Sequence, residues 1–134
     1  MIIGIDLGGM SAKGALLVGD QLKGKSRVET SASDTAEQTA LAIASLVLQT
    51  AEKANKQLDD IQAIGIGAPG VVDSEHGIIV SWTNFGWKNV RLAALVEKFT
   101  GKKTFLLNDA NAAALGEAEY GAGKRFSDSV LLTL

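Results

Sequence analysis

Apolar positions along this chain follow two periods, and the changes between them mark its elements. Ile2 to Leu7 is an apolar run broken by Gly4 and ending in Asp6-Leu7-Gly8-Gly9, which reads as a strand leading into a tight turn. A second strand, about Ala12 to Val18, follows at once. Gly19-Asp20 separates it from a third, Gln21 to about Glu29, in which Leu22, Gly24, Ser26 and Val28 alternate with Lys23, Lys25, Arg27 and Glu29, leaving one solvated face. From Asp34 to about Asn55 the period lengthens: Ala36, Ala40, Ile43, Val47, Ala51 and Ala54 recur every three or four residues, and Glu37 follows Asp34 as in a capping box. That stretch is an amphipathic helix.

Ile61 to Ala68 is a glycine-interrupted strand ending in the turn-rich Ala68-Pro69-Gly70-Val71-Val72-Asp73. Gly77 to Val80 predicts a short strand and Trp82 to Trp87 an irregular, aromatic stretch. Asn89 is placed to cap a helix with the stripe Leu92, Leu95, Val96 and Phe99, stopped by Gly101. Phe105, Leu106 and Leu107 are short and apolar, as a buried parallel strand is, and pass through Asn108 and Asp109 straight into an alanine-rich helix reaching Tyr120. Gly121 to Lys124 forms a loop, and Ser129 to Leu134 begins one more strand. Three antiparallel strands followed by alternating helices and parallel strands make an α/β chain in the order of the ribonuclease-H-like, actin-like ATPase domain.

Composition narrows the partners. With 134 residues, 46% of them hydrophobic, one core is expected. Thirteen scattered basic residues against fifteen acidic ones give a net charge of −2, which offers no electrostatic grip on nucleic acid or on an anionic membrane. The absence of cysteine excludes disulfides and thiolate metal sites from these residues. No secretory signal pattern is present and no apolar run approaches the ~20 residues that span a bilayer, so a cytoplasmic location is expected.

Two stretches carry candidate chemistry. Asp109, at the carboxyl end of a parallel strand and the start of a helix, sits where open α/β sheets place ligands and where the helix's positive end favours negative charge. It is either such a ligand-facing carboxylate or an N-cap. Asp6-Leu7-Gly8-Gly9-Met10-Ser11-Ala12-Lys13 joins two strands through two glycines, with backbone amides, a hydroxyl and an ammonium close by, which suits polyphosphate; a plain hairpin turn is the other reading. It is not a P-loop, because it lacks the Gly-Lys-Ser/Thr ending and no helix follows. Asp6, at a strand's end, suits Mg²⁺ bound largely through water. His76, the single histidine, falls in a polar turn and reads as solvent-exposed, and Trp82 and Trp87 as sugar-facing or as packing.

Ile3-Gly4-Ile5-Asp6-Leu7-Gly8-Gly9 with Lys13 resembles the first phosphate motif of the ROK family of bacterial sugar kinases and sugar-responsive repressors. Ile64 to Asp73 resembles that family's next segment, and Leu107-Asn108-Asp109-Ala110-Asn111-Ala112-Ala113-Ala114-Leu115-Gly116-Glu117 its catalytic segment. The resemblance implies ATP-dependent phosphorylation of a hexose or amino sugar, with glucose the first expectation. It makes Asp109 the general base and Asn108, Gly70, Thr83 and Asn84 the sugar side. Asp6 takes the Mg²⁺ side, with Gly8, Gly9, Ser11 and Lys13 against the phosphates. Met10 stands where the family usually has threonine, so one hydroxyl is missing; Ser11 is the nearest other, although adjacent strand residues point to opposite faces.

The resemblance further implies that residues 1–134 form an N-terminal lobe. A C-terminal lobe would hold the adenine site and a structural zinc site, the whole would assemble as a homo-oligomer, and the lobe alone would be inactive. The alternative is a non-catalytic sugar-sensing transcriptional regulator; it needs a helix-turn-helix segment before the first strand, which begins at Ile2.

Overall fold

A computed structural model describes residues 1–128 and 130–132. The opening meander forms as the alternation predicts: β1 (Ile2–Leu7), β2 (Ser11–Val18) and β3 (Gln21–Glu29) pair antiparallel in sequence order. β4 (Ala63–Ala68) lies parallel to β1, and β8 (Lys103–Asn108) parallel to β4, giving a five-stranded sheet in the order β3-β2-β1-β4-β8. Between β4 and β8 a three-stranded antiparallel sheet intervenes, built from β5 (Val71–Asp73), β6 (Ile78–Trp82) and β7 (Trp87–Val90).

One face of the larger sheet carries the core. Ile3, Ile5, Leu7, Leu16, Ile64, Ile66 and Leu106 are buried against Ile43, Leu46 and Val47 of α1 (Ala36–Lys53) and against Leu92 and Val96 of α2 (Leu92–Thr100). α1 lies directly on β2, since a Cβ at Gly14 would come within 2.9 Å of the Thr50 hydroxyl and 3.2 Å of Leu46. Each fully buried aliphatic side chain of this layer contributes about 1.5–3 kcal/mol relative to exposure.

The opposite face is open. α3 (Asp109–Tyr120) covers it only near its first turn, where the missing side chain of Gly67 leaves Ala112 and the Asp109 backbone in contact with β4. Below that contact Phe105 is 58% and Tyr120 65% exposed, so β8 is not the doubly buried strand its sequence predicts. An uncovered apolar face of this kind drives association. The 134-residue chain on its own is therefore expected to self-associate and to bind an apolar dye; a monodisperse monomer in light scattering, without dye binding, would contradict this.

Several local expectations are corrected. The capping box of α1 is Thr35 with Gln38, one residue beyond Asp34 and Glu37: the Gln38 amide donates to Thr35 Oγ1 at 3.1 Å and the Thr35 amide to Gln38 Oε1 at 2.8 Å. Asp34 instead accepts the Ser31 amide in the preceding turn. Asn89 caps nothing. It lies in β7 at a φ of +51°, and the start of α2 is tied down from a distance by the Ala93 amide donating to the Gly77 carbonyl at 3.2 Å. Val71 to Asp73 is a strand because Val72 and Asp73 pair with Ile79 and Ile78. Trp82 to Trp87 is ordered by its aromatic rings: Trp82 stacks on Phe85 at 3.7 Å, and Trp87 meets both edge-on. All three rings are buried, so the tryptophans serve packing. Residues 130–132 form no strand, and 129, 133 and 134 lie outside the described residues.

Candidate active site

The end of β8 and the start of α3 divide two tasks between neighbouring residues. Asn108 is the N-cap: its Oδ1 accepts the amides of Ala110 at 3.1 Å and Asn111 at 3.2 Å. Its Nδ2 donates to the Gly70 carbonyl at 2.9 Å, so one amide group holds the helix start and the β4–β5 turn together. One N–H of Asn108 remains for a ligand. With capping done by its neighbour, Asp109 is the first helical residue rather than the cap. Its Oδ1 accepts the Ala110 amide at 2.8 Å, and its other oxygen has no hydrogen-bond partner among the described residues.

Strand register aligns the second carboxylate with it. Asp6 sits opposite Lys13 on β2 and beside Gly67 on β4, and Gly67 in turn sits beside Leu107 on β8, two residues before Asp109. Two strand spacings put the Asp6 backbone about 10 Å from that of Leu107 across the sheet. Asp6, Lys13 and Asp109 line one concavity of about 1200 Å³ on the open face. Among the described residues none of the three is in an ion pair, and no group of three or more metal-ligating side chains occurs. A lone carboxylate at Asp6 fits Mg²⁺, which keeps several waters and takes its remaining ligands from substrate phosphates.

Gly8 and Gly9 form the turn between β1 and β2, closed by the Gly8 amide donating to the Ser11 carbonyl at 2.9 Å. A Cβ at Gly9 would lie 4.0 Å from the Phe85 ring, so this turn abuts the single helical turn holding Thr83 and Asn84. Met10 is exposed in the turn itself, outside β2; Ser11 opens the strand, and by alternation its side chain shares the face of Lys13. Thr83 and Asn84 are exposed beside the turn and do not line the larger concavity. Gly70 holds a φ of +84°, where a Cβ would collide with the Ser81 carbonyl oxygen. Thr30, which no local sequence pattern announces, donates its hydroxyl to the Gly8 carbonyl at 2.9 Å, 22 residues away.

His76 stays outside this assembly, as its polar turn predicts. Its Nδ1 lies 2.8 Å from Asp73 Oδ2, and its amide donates to Asp73 Oδ1 at 3.2 Å. These bonds, the side-chain one foremost, hold the Asp73 carboxyl below its ordinary value of 3.8. A lowered folded-state pKa contributes stability above the ordinary value, and that contribution disappears as pH falls through the folded value. His76→Ala is expected to return Asp73 toward 3.8 in a carbon-13 NMR titration of its carboxyl, while leaving activity of the whole protein unchanged; an unmoved titration would refute the pairing.

The sequence profile of the ROK family matches residues 2–134. The chain belongs to the ROK family. It is 38% identical over 135 residues to a glucokinase of Thermotoga maritima, a match covering 99% of this chain and 41% of that protein. A xylose repressor of Caldicellulosiruptor bescii is 34% identical over 89 residues, covering 66% of this chain and 22% of the repressor. Among solved structures, a ROK family glucokinase from Streptomyces griseus in complex with glucose and AMPPNP superposes with a TM-score of 0.80 at 33% identity, over 91% of this chain and 37% of that one. The fold is therefore the actin-like ATPase fold that the order of elements predicts, and this ROK chain spans about two-fifths of the length of the glucokinase relative.

Proposed function

We propose that the protein carrying this chain transfers the γ-phosphoryl group of ATP to a hydroxyl of a hexose or amino sugar, with Asp109 as general base. The observation that carries this reading is the release of Asp109 from capping by Asn108, which leaves a carboxylate oxygen uncommitted on the concavity shared with Asp6 and Lys13. Phosphoryl transfer asks chiefly for positioning, charge neutralisation and an acceptor for the hydroxyl proton. The sugar oxygen bonds to the γ-phosphorus as the bond to the leaving ADP oxygen breaks, and the hydroxyl proton passes to Asp109. Asn108 offers its remaining N–H to the sugar, and Gly70, Thr83 and Asn84 complete the sugar side. Mg²⁺ held through Asp6 would neutralise charge on the phosphoryl oxygens, while Lys13, Ser11 and the Gly9 backbone steady the phosphates and Gly8, its own amide committed to Ser11, closes the turn beside them.

The match to the xylose repressor favours a second reading, sugar sensing without catalysis. A coupled assay of ADP release by the full-length protein, with glucose, N-acetylmannosamine, fructose and allose as acceptors, separates the two. The kinase reading expects sugar-dependent ADP release with at least one of them; sugar binding with no ADP release, joined to binding of a specific DNA duplex, would establish the repressor.

A further inference from the structure

The turn between β1 and β2 is held from outside itself. Thr30, buried just past the end of β3, donates its hydroxyl to the Gly8 carbonyl at 2.9 Å and its amide to the Met10 carbonyl at 3.0 Å. The hairpin does not need these bonds to set its register, because β1 and β2 already pair without interruption from Ile2 opposite Leu17 to Leu7 opposite Ala12. What the bonds fix is the direction of peptide planes. Every peptide bond described is trans, so the carbonyl and the amide of one peptide unit point in opposite directions. Drawing the Gly8 carbonyl to Thr30 therefore aims the Gly9 N–H away from it, and drawing the Met10 carbonyl aims the Ser11 N–H likewise. Among the described residues the amides of Gly9 and Met10 donate to no protein acceptor. Met10 brings no hydroxyl to this turn, so beside the neighbouring Ser11 and Lys13 side chains the donors of the turn itself are backbone amides.

We propose that Thr30 is a positioning residue for the phosphoryl donor: through the Gly8 carbonyl its hydroxyl sets the direction in which the Gly9 amide presents itself to a phosphate oxygen. The proposal rests on the reading that this turn holds the phosphates. Hydrogen bonds to charged groups are the stronger class, and misdirecting one of them costs about tenfold in affinity.

The test uses the full-length protein and two substitutions. Thr30→Val keeps the shape and the backbone donor but removes the hydroxyl, and Thr30→Ser restores it. Thr30→Val is expected to raise KM for Mg-ATP, and the calorimetric Kd for Mg-ATP measured without sugar, about tenfold, with KM for sugar within about twofold of wild type. Thr30→Ser is expected to stay within about threefold of wild type on all three. A merely structural threonine would lower the melting temperature and leave the nucleotide constants alone; that result, or a serine variant as impaired as the valine one, overturns the proposal. Wild-type protein that binds Mg-ATP but transfers no phosphoryl group would refute the kinase reading and still allow the Kd comparison to decide on Thr30. Wild-type protein that does not bind Mg-ATP would overturn both.

Discussion

Replacing Asp109 with asparagine in the full-length protein is expected to abolish nearly all turnover while sparing sugar binding. The substitution keeps the size of the side chain and an oxygen able to accept the Ala110 amide, as Asp109 Oδ1 does at 2.8 Å. The helix start is unaffected, because Asn108 is the cap. What disappears is the carboxylate proposed to take up the hydroxyl proton. General-base contributions run to about 10²–10⁴-fold, so kcat should fall by at least that much, with the Kd for sugar moving only a few-fold. Thermal melts of the two proteins should coincide. Turnover within a few-fold of wild type would remove Asp109 from the chemistry.

The second large effect is expected at Gly70. Gly70→Ala puts a Cβ into the Ser81 carbonyl oxygen at a backbone φ of +84°, where alanine is strained even in open space. The left-handed region alone costs a non-glycine residue about 1–2 kcal/mol, and relieving the collision requires β5 to move from β6. That movement also draws the Gly70 carbonyl from the Asn108 amide 2.9 Å away, loosening the proposed sugar side and the start of α3 together. A loss of at least about 2 kcal/mol in a denaturation experiment and a rise of about tenfold or more in KM for sugar are expected. Gly86→Ala is the matched control: Gly86 also has a left-handed φ, +63°, but a Cβ there meets nothing within 4 Å, so about 1 kcal/mol and an unchanged KM should result. Equal effects at the two glycines would mean that the collision and the Asn108 link do not matter.

How far the sequence reaches can be seen element by element. β1, α1 and the glycine stop of α2 are local events, written in alternation, in a 3.6-residue period and in a residue that adopts a positive φ, and they form within a few residues of where those signals fall. The placement of Asp109 at a strand end and helix start is equally local. β5 was illegible because three residues flanked by turn formers become a strand only by pairing with Ile78, Ile79 and Ser81 of β6. Asn89 looked like a cap because Asn often is one, but Gly77, from another turn, provides the bond. Which of two adjacent polar residues caps α3 could not be read from the sequence; Asn108 takes the cap by bonding to Ala110 and Asn111 on one side and to Gly70 on the other, which leaves Asp109 free for the proposed role. Thr30 belongs with these. The bonds from Thr30 to Gly8, from Ala93 to Gly77 and from Asn108 to Gly70 join residues far apart in sequence, which a reading of local periods does not contain; the shift of the α1 capping box to Thr35 and Gln38 is by contrast a local one.

The most direct test of the account is the structure of the full-length protein with a sugar acceptor and a non-hydrolysable ATP analogue bound. The account predicts one sugar hydroxyl about 2.6–3.2 Å from the uncommitted Asp109 oxygen, on the side facing the terminal phosphate. A bound sugar whose hydroxyls all lie beyond reach of Asp109, or whose nearest hydroxyl faces away from the phosphate, would contradict it.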